Sequence, residues 1–191
     1  MAVILQAAWD VLRQHGLAGF NTNSIAARAG VSIGTLYGYF PNKQSILIAL
    51  ARQLLQGDGQ AVLSALQADA TVPPTGDACD DPVRRIVRVL FARHSAEPRL
   101  RRALLSVYLG AGLADDDDAQ VRAQIAAIAS HPRGPLVGHA LSEAQLFVIS
   151  RAVLGIARGL VEDAQTLPAS QGALEDEAVR LVHSYLTLAV G

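Results

Sequence analysis

The 191-residue chain is 51% hydrophobic and 17% charged, with a net charge of −1 and a single cysteine, Cys79, which excludes a disordered chain, an internal disulfide and a multi-cysteine metal site. Its start, M-A-V-I-L, lacks the basic region of a signal peptide, and no run approaches the roughly eighteen uninterrupted apolar residues of a membrane span, so a cytoplasmic protein with no membrane partner is expected. The small net charge hides an asymmetry: residues 1–57 hold Arg13, Arg28, Lys43 and Arg52 against Asp10, a net +3, which leaves −4 on the remainder.

In chain order, Ala2 to His15 reads as a first helix, with Ile4, Leu5, Ala8, Trp9 and Leu12 spaced for one buried stripe and Gly16 as its stop. Asn21 or Thr22 can cap the next helix, whose apolar run Ile25 to Ala29 is ended by Gly30; another opens almost at once behind Ser32. Leu36 and Phe40, four residues apart, share the inward face of that helix, so Ile33, Thr35, Tyr37 and Tyr39 point elsewhere. Exposed aromatics beside small residues make a docking surface. A helix-turn-helix uses such a second helix to enter the DNA major groove, and the basic charge of the chain lies on the same segment.

At these residues the sequence resembles the tetracycline-repressor (TetR) family of transcriptional regulators. The resemblance is carried by I-L-x-A-A at 4–8, Gly16, I-A-x-R-A-G-V-S at 25–32, G-T-L-Y-x-Y-F at 34–40, and Lys43 ahead of an apolar helix. It implies an all-α fold, with a three-helix DNA-binding head over 1–45 and a helical ligand-binding and dimerisation domain over 46–191. It also implies a DNA-contacting set of Thr22, Arg28, Ser32, Ile33, Gly34, Thr35, Tyr37, Tyr39 and Lys43. Of these, Thr22, Tyr37, Tyr39 and Lys43 are expected on phosphates, and Thr35 and Ile33 on bases, Ile33 against a thymine methyl. The basic arm that often precedes the first helix in the family is absent from this sequence.

Pro41 ends the recognition helix and Asn42 can cap a fourth helix carrying Ile46, Leu47, Leu50, Leu54 and Leu55. Two glycines in Gln56-Gly57-Asp58-Gly59, each about 1 kcal/mol worse than alanine in a helix, predict a kink or break there. Thr71 to Pro82, with three prolines and Cys79, is expected as a loop. Helical pattern resumes from Val83 to His94, breaks at Glu97-Pro98 and continues over Arg99 to Leu109. The acidic run Asp115 to Asp118 suits a helix start, since it lacks the alternating ligands and central glycine of a calcium loop. His131 to Pro135 reads as a turn.

Two long helices close the chain. Ser142-Glu143-Ala144-Gln145 is a capping box, and Leu146, Ile149, Val153, Ile156 and Leu160 form one stripe; Leu174, Ala178, Leu181, Tyr185 and Leu188 form another beyond Leu167-Pro168. In the resembling family the last two helices of each subunit build a four-helix dimer interface, which implies a homodimer through Ile149, Val153, Gly155, Ile156, Gly159, Leu181 and Tyr185. The same stripes can instead face their own domain's core.

No G-x-S-x-G elbow, phosphate-binding loop or H-E-x-x-H occurs, and histidines 15, 94, 131, 139 and 183 lack metal-ligand spacing, so neither an enzyme nor a resident cofactor or metal is expected. The reading is a ligand-responsive repressor that binds a double-stranded DNA operator. The competing reading is a helical dimeric interaction module or small-molecule sensor without DNA binding, suggested by the short side chains of the recognition helix. A small, hydrophobic effector is expected among Phe91, His94, Tyr108, Gln124, Phe147 and Arg151, polar or aromatic residues on otherwise apolar faces. Duller roles compete for three of these: His94 can terminate its helix, Tyr108 can be core, and Arg151 can pair with an acid across a dimer.

Overall fold

The computed structural model describes residues 1–67, 81–111, 123–132, 141–163 and 166–189. The described residues are helical, without a strand: α1 Ala2–Gly19, α2 Thr22–Ala29, α3 Ile33–Tyr39, α4 Lys43–Gln67, α5 Pro82–Ala96, α6 Pro98–Gly110, α7 over 123–129, α8 Glu143–Glu162 and α9 Gln171–Ala189. Cys79, the acidic run 115–118 and most of the expected loop 71–82 lie outside these residues, as does part of the turn at 131–135.

Two compact units divide the chain, the first comprising Met1–Gln56 and the stretch that begins at Arg99, the second Gly57–Pro98 and the C-terminal helices. The core of the first unit joins Ile4, Leu5, Ala8, Val11 and Leu12 of α1 to Phe20, Ile25, Leu36 and Phe40. Ile46, Leu47, Leu50 and Ala51 from the first turns of α4 belong to this core, and so do Leu104 and Tyr108 of α6. Gly16 does interrupt α1, with φ 61° and ψ −171°, but a further helical turn follows it before the chain reaches Phe20.

In the second unit α5 packs on α8 and α9 around Val87, Phe91, Leu160, Ala178 and Val182, and α4 contributes Val62 and Leu66. Charge reinforces the α5–α9 pairing: Arg84 bonds to Asp176 at 2.6 Å and Glu175 at 3.4 Å, and Arg88 reaches Glu175 at 3.1 Å. The hydrogen bond that Arg84 donates to Asp176 raises its pKa further, so this cation does not titrate. His183 meets Asp81 at 2.8 Å, and the other carboxylate oxygen of Asp81 caps α5 through the amide of Val83.

The break expected at 57–59 does not occur, because α4 runs through it. Tertiary contacts outweigh the intrinsic cost of the two glycines. Asp58 is buried and accepts a 2.7 Å bond from Arg93 of α5, and Gly59 lies beneath the carboxamide of Gln124, where a methyl group would sit only 2.5 Å from it. By length and composition α8 is apolar enough to cross a membrane. Its apolar side chains Ile149, Ala157, Leu160 and Val161 are instead buried within this unit, and Arg151 and Arg158 lie on its exposed side.

Candidate nucleic-acid interface

The helix-turn-helix is assembled by short-range caps. Asn21, rather than Thr22, caps α2: its Oδ1 accepts from the Ser24 amide at 2.8 Å. Gly30 ends α2 in the left-handed region, φ 67°, where its amide bonds back to Ala27 and the Val31 amide bonds to Ala26. This double closure satisfies two helix-end carbonyls and turns the chain through a conformation that side chains with a Cβ resist. Ser32 then starts α3, its Oγ accepting from the Thr35 amide at 3.0 Å, and Asn42 starts α4 by accepting from Ser45 at 2.8 Å.

One buried side chain, Leu36, with Phe40 just beyond the last turn, holds α3 to the core. Every other residue of α3 is exposed: Ile33 at 39%, Tyr37 at 47% and Tyr39 at 55%, together with Gly34, Thr35 and Gly38. Thr22 and Tyr37 join hydroxyls at 3.2 Å, which ties the start of α2 to the middle of α3. Ser32 and Thr35 share a second hydroxyl pair at 2.9 Å. Thus Ser32, Ile33, Gly34, Thr35, Tyr37 and Tyr39 are all exposed, and Thr22 is bonded to one of them, Tyr37.

Two of the expected cations are partly engaged elsewhere. Arg28 donates to Asp10 and to Gln14, both at 3.1 Å, so its guanidinium braces α2 against α1. Lys43 is exposed, yet its ammonium rests over the Phe20 ring at 5.9 Å and lies 3.5 Å from the Leu17 carbonyl. None of these three bonds was legible in the sequence, since each joins residues 14 or more positions apart. Beside Lys43, an open groove of about 640 Å³ is lined by Asn42, Gln44, Leu47, Ser106, Val107 and Gly110. Sequence reasoning gave no sign of it, because it depends on α6 packing against α4.

The six effector candidates are not gathered together. Phe91 is fully buried in the second unit, and His94 is buried beside it with Nδ1 2.8 Å from the Leu90 carbonyl. Gln124 is half-buried over Gly59. Tyr108 belongs to the core of the first unit instead. Phe147 and Arg151 lie exposed on α8, the guanidinium 5.3 Å from the ring.

The expected dimer set also divides, for a helix with two apolar sides can bury only one of them within its own unit. Ile149 is buried in the core of the second unit, and Val153, Ile156 and Tyr185, partly buried, pack against it. Leu181 is exposed, as are Phe147, Val148 and Leu188. Gly155 is exposed and Gly159 half-exposed, and a Cβ on either would meet nothing within 4 Å.

Comparison with known proteins extends the pattern along the chain. The family model described as "Bacterial regulatory proteins, tetR family" matches residues 4–50, and that described as "Tetracyclin repressor-like, C-terminal domain" matches residues 80–186. The HTH-type transcriptional regulator RutR of Escherichia coli strain K12 is 46% identical over 52 residues, 27% of this chain and 24% of RutR. EthR of Mycolicibacterium smegmatis, also an HTH-type transcriptional regulator, is 26% identical over 102 residues, 53% of this chain and 44% of EthR. The chain thus matches a quarter to less than half of the length of these relatives. Among solved structures, the multidrug binding protein EbrR complexed with ethidium superimposes with a TM-score of 0.63 at 20% identity, covering 94% of this chain and 96% of EbrR. At that identity the likeness is one of fold.

Proposed function

The chain belongs to the TetR family of bacterial regulatory proteins, and from this membership we propose that it is a homodimeric, DNA-binding transcriptional repressor released from its operator by a small hydrophobic molecule. The observation that carries the reading is α3, a helix held by Leu36 and Phe40 with its remaining residues turned to solvent. In the proposed complex Ile33 and Thr35 face base edges, and Tyr37, Tyr39, Thr22 and Lys43 meet phosphates, while Ser32 and Gly34 allow close approach at the helix start. Arg28 acts through Asp10 and Gln14, by fixing α2. Residues 1–45 supply this reading head, and 46–191 the effector site and dimer contact.

The proposed dimer uses the outward sides of α8 and α9. Phe147, Val148, Leu181 and Leu188 are exposed apolar side chains that a partner subunit would cover. Gly155 and Gly159 each weaken α8 by about 1 kcal/mol relative to alanine, although a Cβ at either would meet nothing within 4 Å among the described residues. A close helix of a second subunit gives them a purpose. Pairing also supplies affinity: one head carries a net +3 over residues 1–57, too little for tight phosphate binding alone, and two heads double it.

The effector is proposed to lodge in the second unit near Phe91, His94 and Gln124, where apolar walls carry a few polar groups. Its binding would shift α4 and alter the spacing of the two heads. Half-sites on one DNA face lie about 34–36 Å apart, so a change of a few ångströms stops both heads docking together. An operator as its target would put the protein in the cytoplasm.

Titrating the protein into labelled duplexes selected from a random pool, over a range of salt concentrations, tests the proposal. Specific binding that weakens steeply with salt is the expected result. Equal, weak affinity for selected and unselected duplexes would favour a helical module without DNA recognition.

A further inference from the structure

We infer that Ile33 reads the C5-methyl group of a thymine in each operator half-site, so that methyl contact, more than hydrogen bonding to base edges, sets the sequence preference of this head. The inference rests on the DNA-binding reading above and specifies what it recognises.

The sequence of α3, I-G-T-L-Y-G-Y, contains no amide, guanidinium, ammonium or carboxylate side chain. The bidentate pairings by which Arg or Lys reads guanine, and Asn or Gln reads adenine, are therefore unavailable on it. Its hydroxyls are partly committed: Thr35 shares a hydrogen bond with Ser32 at 2.9 Å, and Tyr37 shares one with Thr22 at 3.2 Å. Ile33 is the first residue of the helix, the end at which recognition helices meet base edges, and it is 39% exposed with no role in the buried core. An isoleucine has one apolar partner among unmodified bases in the major groove, the thymine methyl. Against any other base edge it would cover a donor or acceptor without replacing its hydrogen bond to water. Discrimination thus has an attractive and a repulsive part.

The glycines of α3 bring this side chain within reach. A Cβ at Gly38 would meet nothing within 4 Å, and one at Gly34 only Ser32 Oγ at 3.8 Å, so neither is required by packing. They leave the outer surface of α3 low, which lets the helix sink toward the groove floor.

The test starts from the duplex that the full-length protein selects out of a random pool, with each thymine in turn replaced by deoxyuridine, which removes only the methyl. One thymine per half-site should lose about fourfold in affinity, and changing both half-sites should cost about tenfold or more. At that position a 5-methylcytosine pair should bind better than a cytosine pair. Both differences should vanish in Ile33→Ala, and Ile33→Gln should select adenine there instead. The inference is overturned if no thymine in the selected duplex is sensitive to uracil, or if the penalty persists in Ile33→Ala. Selection of no sequence at all would bring down the DNA-binding reading itself, and this inference with it.

Discussion

Arg93 closes on Asp58 at 2.7 Å, a guanidinium 37% exposed meeting a carboxylate whose side chain is only 9% exposed. The asymmetry makes the two partners unequal. Arg93→Ala takes a 2.7 Å bond from a carboxylate inside the second unit and should destabilise it more than Asp58→Ala, after which the longer arginine can turn to water and the loss should be nearer 1 kcal/mol. Urea denaturation checks this, and the double variant should be less damaging than the sum of the singles. Equal effects of the two single substitutions would contradict the burial argument.

Lys43 and Arg28 should separate in their salt dependence. Lys43→Ala should weaken binding to selected and unselected duplexes alike and reduce the slope of log affinity against log salt by about one per head. Arg28→Ala, which removes bonds to Asp10 and Gln14, should leave the slope unchanged and lower stability by no more than about 1 kcal/mol. A lowered slope in Arg28→Ala would place that guanidinium on a phosphate.

Gly155→Leu should abolish the dimer, because it fills the space that a partner helix is proposed to occupy. A Cβ at Gly155 would meet nothing within 4 Å among the described residues, and the position is exposed, so helix content should be retained. Sedimentation at micromolar concentration should report a folded monomer with specific DNA affinity lost. A dimer of unchanged strength would move the interface away from this face of α8.

His94→Ala offers a test of the effector site that Tyr108→Phe does not. His94 is buried in the second unit, with its ring bonded to Leu90, while Tyr108 is core of the first. A change at His94 should shift the concentration of a releasing compound several-fold without altering operator affinity. The same substitution should lower stability by about 2 kcal/mol through the cavity it leaves, so release is to be compared well below the midpoint of unfolding. An unchanged release curve would place the effector elsewhere.

What was legible in the sequence was local. Gly30, Ser32, and the pair Leu36 and Phe40 lie within eleven residues, and each acts through bonds or packing over three to six positions, which one-dimensional pattern records. The continuity of α4 through 57–59 was hidden because the partner of Asp58 is 35 residues away. Tyr108 read either as a ligand group or as core, since nothing in its own helix reveals that α6 joins the core built by Ile4 and Leu47. On α8 the period was right and left two directions open: Ile149 is buried while Phe147 and Val148 are exposed, and spacing alone does not say which side turns inward.

The light anchoring of α3 makes its outer surface rewritable. Folding asks of this helix little more than Leu36, Phe40 and the Ser32 cap, so positions 33, 34 and 38 form a blank that can carry other letters without disturbing what supports it. Substituting long polar residues there should yield heads with new operators at near-constant stability, and at 34 and 38 the gain in helix propensity should raise it by up to about 1 kcal/mol per glycine replaced. Specificity and foldability are separate inheritances in this segment, and one can drift or be engineered while the other stays fixed.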